Sequence, residues 1–198
     1  MRIRIRQRSR PGAKSKIDLL SRETKFIDDL KAAGYDHLEF REINRAATHG
    51  VTLQYIRELQ AAGYENMTMD ELIHARNHEI DAAYIKEVRA MGFGRQPMDV
   101  LIRLRNHEIT QDFINRMSAA GFNNLSIDEL IRLKNHDITP EFVNDLKAEG
   151  YDSISPDTAV RLKNNNIDRD FIRRVKAKGF TNLSLDQLIR LHNEEIIK

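Results

Sequence analysis

Apolar and polar residues along this chain repeat with a period of 29 residues. An aromatic residue follows each of six glycines, and another stands eight residues before each of them, so these two positions hold 12 of the 13 aromatic residues. Chance does not place six glycines and twelve aromatics on one period, and the sequence is therefore interpreted as six tandem repeats between Arg22 and Glu195. The glycines that mark the period are Gly34, Gly63, Gly92, Gly121, Gly150 and Gly179.

Each repeat has the pattern of two short helices, and the fourth repeat shows the first of them most clearly. Phe113, Ile114 and Met117 have the three-to-four spacing of one helical face. Gly121 then predicts a Schellman cap, in which the glycine adopts a left-handed conformation and Phe122 packs back on Met117. The six periodic glycines are accordingly predicted to be structural helix caps.

The second helix of the repeat begins with its own signals. Ser126 and Glu129 have the spacing of a capping box, and the pairs Thr68–Glu71 and Ser184–Gln187 repeat it. Pro140 stands at a predicted first helical position, where no amide proton is needed. The third repeat departs from this pattern, since residues 94–97 carry neither the hydrophobic residue before the cap nor a Ser or Thr cap. We expect this segment to be the loosest of its kind.

The repeat pattern predicts the fold class. A pair of helices of about ten residues is too small to fold alone, because chains under about 40 residues rarely do. Stacked pairs bury their apolar faces in one continuous core. We therefore predict an all-α fold, an α-solenoid of six 29-residue helix-turn-helix repeats with about twelve short helices. Residues 21–198 are predicted to form this single repeat domain, and residues 1–20 a flexible basic arm.

Charge is distributed unevenly along the chain. The net charge is only +2, but residues 1–16 carry seven basic side chains and no acid, which leaves residues 17–198 with 25 basic and 30 acidic side chains. The arm is therefore the predicted polyanion contact, through Arg2, Arg4, Arg6, Arg8 and Arg10. No cysteine is present, and no apolar run or signal-peptide pattern indicates membrane insertion or export by this chain. The compartment stays open.

A row of histidines also follows the period, at His49, His78, His107 and His136. Equivalent residues in stacked helices lie about 10 Å apart, so one histidine per repeat cannot converge on a zinc ion, which needs its nitrogens at about 2 Å. We expect no metal site. These side chains are instead predicted to lie at helix C-termini, where His78, His107 and His136 are candidates for contact with a partner.

Two basic rows run along the second helices. Arg103, Arg132, Arg161 and Arg190 each follow an aspartate by four residues, which predicts ion pairs within one helix. The other row has no acid four residues before it and is the better candidate for binding an acidic peptide or phosphate groups. Its members are Arg76, Arg105, Lys134 and Lys163.

Two stretches carry a family resemblance, "GVTLQYIREL" at Gly50–Leu59 and "ITPEFVNDLKAEGYDSISPDTAVRLKNNNI" in the fifth repeat. They resemble tandem repeats in the C-terminal regions of bacterial membrane metallopeptidases of the β-lactam-sensor and antirepressor type. The resemblance covers about Ser21 to Lys198 and implies an interaction or sensing module. The chain has no His-Glu-x-x-His motif, so it implies no peptidase activity.

No pattern in the chain predicts catalysis or a cofactor. Glycine-rich phosphate loops are absent from the sequence, and no serine, lysine or carboxylate pair has the setting of an activated group. The sequence therefore predicts a non-catalytic scaffold that binds a protein or peptide. The alternative is a nucleic-acid-binding repeat protein that uses the arm and the row from Arg76 to Lys163.

Overall fold

The computed structural model describes residues 24–194, which contain twelve helices and no strand. The predicted all-α helical-repeat fold is confirmed. The first helices of the six repeats are α1 (residues 24–32), α3 (Leu53–Ala61), α5 (Ala82–Val88, continued by a π-helical turn at Arg89–Phe93), α7 (Gln111–Ala119), α9 (Pro140–Ala148) and α11 (Arg169–Ala177). The second helices are α2 (Phe40–Thr48), α4 (Met69–Asn77), α6 (Met98–Asn106), α8 (Ile127–Asn135), α10 (Pro156–Asn164) and α12 (Leu185–Asn193).

The chain divides into two compact units, Met1–Ala90 and Met91–Lys198. In the first unit α2 packs against α4. In the second unit α7 packs against α9 and α9 against α11, while α6 packs against α8 and α8 against α10. Like helices of neighbouring repeats therefore lie side by side within each unit. The assignment of residues 21–198 to one domain stays a prediction, and the arm lies outside the described residues.

The predicted caps of the first helices are confirmed. Gly121 has a φ of 99°, and the other five periodic glycines have φ values between 91° and 94°. The amide of Phe122 donates to the Met117 carbonyl at 2.9 Å and the amide of Gly121 to the Ser118 carbonyl at 2.9 Å, which are the two bonds of a Schellman motif. The glycine is needed because an L side chain at this φ is strained.

The second helices end in left-handed caps as well, which the sequence did not predict. The residue after the C-cap has a φ of 55° at Glu79, 51° at Glu108, 51° at Asp137 and 52° at Asn166. The next residue is apolar, and its amide closes the motif, as Ile138 does on the Leu133 carbonyl at 2.9 Å. Gly50 occupies this position in the first repeat with a φ of 67°. Gly50 is thus the unstrained residue at this left-handed position.

The starts of the second helices follow the sequence signals. Capping boxes form at Thr68, Ser126 and Ser184, and Pro140 stands in the first turn of α9. In the third repeat Pro97 occupies the N-cap position without a side-chain bond. Gly94 in that segment has a φ of 68°, so it is also held in a left-handed conformation although it is not one of the periodic glycines.

Aliphatic side chains and half of the periodic aromatics form the core. Tyr55, Tyr84, Phe113 and Phe171 on the first helices are all buried. Five other periodic aromatics, Phe93 among them, are half-buried. Phe180 in the last repeat is 46% exposed, and Phe40, which is off the period, is 77% exposed. The described core contains no buried charged residue, so the candidates for recognition lie on the surface.

Candidate partner-binding site at the third and fourth repeats

The arginines of the second helices bind forward to the next repeat. Arg103 pairs with Asp128 at 2.7 Å, Arg161 pairs with Asp186 at 2.7 Å, and Arg132 pairs with Asp157. In the other unit Arg45 pairs with Asp70 at 2.6 Å. The prediction of pairing within one helix is therefore wrong for these residues. Arg103, Arg132 and Arg161 could each pair with the aspartate four residues before it in its own helix or with an aspartate on the adjacent second helix. The arginine side chain is long enough to reach the adjacent helix, and it pairs there.

The second basic row lies over aromatic rings of its own repeats. The Arg76 guanidinium stands 5.0 Å from the centre of the Tyr55 ring, and the ammonium groups of Lys134 and Lys163 stand 4.6 and 5.1 Å from the rings of Phe113 and Phe142. Cations in this position are attracted to the ring face. The last repeat places His192 in the row, edge-on to Phe171. Arg105 is half-buried at the equivalent position. These contacts place the row in the packing between helices.

The histidine row lies at helix C-termini, as predicted. His78, His107 and His136 are the C-cap residues of α4, α6 and α8. The Nδ1 atom of His136 lies 2.9 Å from Oδ1 of Asn164, and that of His49 lies 2.7 Å from Oδ1 of Asn77, in each case in the following repeat. His136 and His49 therefore connect neighbouring second helices.

Three further predictions concern the basic arm, a metal site and a membrane span. Arg2, Arg4, Arg6, Arg8 and Arg10 lie outside the described residues. Within residues 24–194 no group of three or more histidine or carboxylate side chains is placed to hold a metal ion. In the same part of the chain, every helix is too short or too polar to cross a membrane.

A further row on the first helices was missed by the sequence analysis. Its members stand three residues before each periodic glycine from the second repeat onward, and we call them the crossing row: Gln60, Arg89, Ser118, Lys147 and Lys176. Gln60 donates to the Ala33 carbonyl at 3.4 Å, Arg89 to the Ala62 carbonyl at 2.6 Å and Lys176 to the Glu149 carbonyl at 2.8 Å. A long side chain thus crosses to the C-terminal end of the preceding first helix.

Lys147 follows the same course. A Cβ atom built on Gly121 would lie 2.5 Å from its Nζ atom, so the ammonium group reaches the end of α7. A donor at this place is favourable because the last carbonyls of a helix have no partner within the helix and carry partial negative charge. The crossing row therefore covers the ends of the first helices.

Ser118 is the short member of the crossing row, and a groove lies beside it. The Ser118 hydroxyl donates to Oδ1 of Asn123 within its own repeat at 2.5 Å. The groove has a volume of ≈ 440 Å³, within the size range of ligand sites. Its lining combines apolar side chains with three asparagines: Met91, Gly92, Phe93, Ile114, Asn115, Ser118, Phe122, Asn123, Asn124 and Leu125. All of these residues belong to the unit that begins at Met91.

Ile114 is the clearest sign that the groove is open. Its equivalents in the second, third, fifth and sixth repeats are at most 1% exposed, namely Ile56, Ile85, Val143 and Ile172. Ile114 is only half-buried, as is Ile27 in the first repeat. Met91 and Phe93 across the groove are half-buried as well. The side-chain amide of Asn115 faces the same space, with its Oδ1 atom accepting a bond from Gln111 at 2.8 Å. The groove therefore offers exposed apolar surface together with polar groups.

The equivalent junction between the fifth and sixth repeats is closed. There Lys176 crosses to Glu149 and binds both its carbonyl and its carboxylate, at 2.8 and 2.9 Å. Arg173 and Arg169 bind the same carboxylate at 2.7 and 3.3 Å. The bonds from Lys176 and Arg173 lower the pKa of Glu149 to about 2. This junction shows what the crossing position contains when a long cation occupies it.

The sequence did carry a signal for the groove. A column of long side chains with terminal amino, amide or guanidinium groups is interrupted by one serine. Comparisons of the chain with protein-family models, curated proteins and solved structures find no match. The resemblance to repeats of sensor-type metallopeptidases therefore stays a prediction, and the candidate site depends on its own geometry.

Proposed function

We propose that this chain is a non-catalytic helical-repeat scaffold that binds a protein or peptide, and that it serves as the sensing or interaction module of a larger bacterial system. The observation that carries the proposal is the groove beside Ser118. It combines a ligand-sized volume with a half-buried Ile114 at a position that is fully buried in the neighbouring repeats. Exposed apolar surface bordered by polar groups is typical of protein-binding sites.

The charges of the second helices support a protein partner over a nucleic acid. Phosphate binding needs cations that face solvent and can displace counterions. Arg76, Lys134 and Lys163 lie over aromatic rings, and Arg103, Arg132 and Arg161 pair with aspartates. The arm remains the part of the chain with charge suited to a polyanion.

Selection from a library of short random peptides on the immobilised full-length chain tests the proposal. We expect selected peptides to bind at about 150 mM salt, a concentration at which contacts with phosphates are strongly weakened. The companion measurement titrates single- and double-stranded oligonucleotides at about 50 and about 150 mM salt. We expect oligonucleotides to bind only at the lower concentration.

A matched variant locates any oligonucleotide binding. In it serines replace the arginines at positions 2, 4, 6, 8 and 10 of the full-length chain. Weak binding through the arm should disappear in this variant. Failure to select any peptide, or oligonucleotide binding by the variant at the higher salt concentration, would contradict the scaffold proposal and favour the nucleic-acid alternative.

A further inference from the structure

We propose that the groove beside Ser118 binds an arginine side chain of a partner peptide, which takes the place of the missing member of the crossing row. This inference rests on the proposed scaffold function and names the chemistry of its site. The partner's guanidinium would lie at the C-terminal end of the third repeat's first helix. Its aliphatic stem would pack on Ile114, Met91 and Phe93.

The molecule itself contains the templates for this occupant. Gln60, Arg89 and Lys176 each carry terminal N–H donors on an aliphatic stem, and each donates to a main-chain carbonyl of the preceding first helix. The accepting residues are Ala33, Ala62 and Glu149, and Met91 is their equivalent in the third repeat. Met91 and Ser118 both line the groove. A ligand that reproduces the crossing contact therefore has to bring a donor on a long stem.

The electrostatics of the groove favour a cation. The C-terminal end of a helix carries partial negative charge. The lining residues carry no formal charge, so none of them repels a guanidinium. The chain beyond residue 16 has a net charge of −5, which favours the approach of a basic segment. A phosphate would meet the same helix end with repulsion.

Arginine fits the site better than lysine because its donors are divided over a planar group. One edge can donate to the Met91 carbonyl while another donates to the side-chain oxygen of Asn115 or Asn123. Each of these oxygens accepts one bond, from Gln111 and Ser118, and keeps a second lone pair. The half-buried Phe93 in the lining also provides an aromatic ring for a guanidinium.

The test uses two capped pentapeptides and the full-length chain, observed by ¹H–¹⁵N NMR. The probe is acetyl-Gly-Gly-Arg-Gly-Gly-amide, and its control has norleucine in place of arginine, which keeps the stem and removes the donors. We expect the arginine probe to shift the resonances of residues 91–93 and 114–125 with a Kd on the order of 1 mM. The norleucine peptide should bind at least about tenfold more weakly, because the charge-assisted hydrogen bonds are lost.

Ser118→Lys provides the decisive variant. Lysine at this position should cross the groove as Lys176 does, raise the Tm by about 1–3 °C and abolish binding of the probe. Ala119→Lys is the matched control, because it adds the same charge at the next residue, which is exposed and is not among the lining residues. It should leave binding of the probe unchanged.

The outcomes separate this inference from the scaffold proposal. Equal binding of the two pentapeptides, or equal binding by Ser118→Lys and the unaltered chain, would overturn the arginine site. If library peptides still bind Ser118→Lys, the scaffold proposal holds and the peptide-binding site lies on another surface. If the unaltered full-length chain selects no peptide, the scaffold proposal itself is overturned.

Discussion

The junctions that follow the third and fifth repeats are built from the same helix positions, but one is open and the other is closed. After the fifth repeat, Lys176, Arg173 and Arg169 converge on the Glu149 carboxylate, whose side chain is only 9% exposed. After the third repeat, Ser118 turns back to Asn123, and Ile114 is left half-buried beside a groove. The comparison indicates that side-chain length at one repeated position decides whether a junction is closed or leaves an open groove.

Truncation of equivalent isoleucines should give the largest difference between the two junctions. Ile172 is fully buried at the closed junction, so Ile172→Ala should lower the free energy of unfolding by about 2–5 kcal/mol. Ile114→Ala at the open junction should lower it by about 1 kcal/mol or less, because less apolar surface returns to water. Urea unfolding with unchanged slope measures both. Equal losses would show that the Ile114 site is as closed as its counterpart.

The pH dependence of stability should differ next most strongly. The pKa of Glu149 is lowered from 4.5 to about 2 in the folded chain, because Lys176 and Arg173 donate to its carboxylate. A lowered pKa means that the unfolded chain takes up this proton first as the pH falls. The stabilisation is therefore complete above about pH 4.5 and is lost as the pH falls toward about 2.

Glu149→Gln removes this contribution. The variant should be less stable than the unaltered chain at neutral pH, and the difference should shrink between pH 4.5 and pH 2. Thermal unfolding across that range measures it. A difference that stays constant with pH would mean that the carboxylate is not held by its cations.

A smaller effect is expected from opening the closed junction. Lys176→Ser should lower the free energy of unfolding by about 0.3–1 kcal/mol, since a cation at a helix C-terminus contributes that much. It should also create a second groove that shifts neighbouring resonances on addition of the arginine probe. Lys178→Ser, which removes the same charge from an exposed C-cap residue, is the control and should create no such site.

The smallest expected difference concerns local opening of the loops that precede the second helices. Pro97 provides no side-chain cap, whereas Ser126 provides a complete capping box. A cap contributes about 0.5–2 kcal/mol, so amides at 93–99 should exchange with solvent about fivefold faster than those at 122–128. Slower hydrogen exchange at 93–99 would contradict this expectation.

The sequence predicts the elements of this fold well, because each signal is local. Gly121 and Phe122 specify one helix end, and Ser126 with Glu129 specifies the next helix start, without knowledge of neighbouring repeats. The choice of partner between repeats is not local. Arg103 could pair with the aspartate four residues before it or with Asp128 of the next repeat. Only the spacing of the packed helices selects Asp128.

The groove was missed for the same reason. Within a single repeat Ser118 does not stand out, because a polar residue is common at an exposed helix position. Its importance depends on the carbonyl groups at the end of the preceding helix, which only the packed structure places opposite it. The mixed chemistry of the column, with Gln60, Arg89 and Lys176, also conceals a shared role in donating to those groups.

The short sequence separation of the bonds between repeats has a consequence for how the chain is made. The bonds between repeats join residues 20 to 32 positions apart, from the bond between Arg169 and Glu149 to that of Tyr151, whose hydroxyl donates to the Leu183 carbonyl. Helical chains with such local contacts fold within microseconds to milliseconds. Synthesis of one repeat takes roughly 1.5 to 6 seconds at ribosomal rates. Each repeat can therefore dock on its predecessor before the next one has emerged from the ribosome.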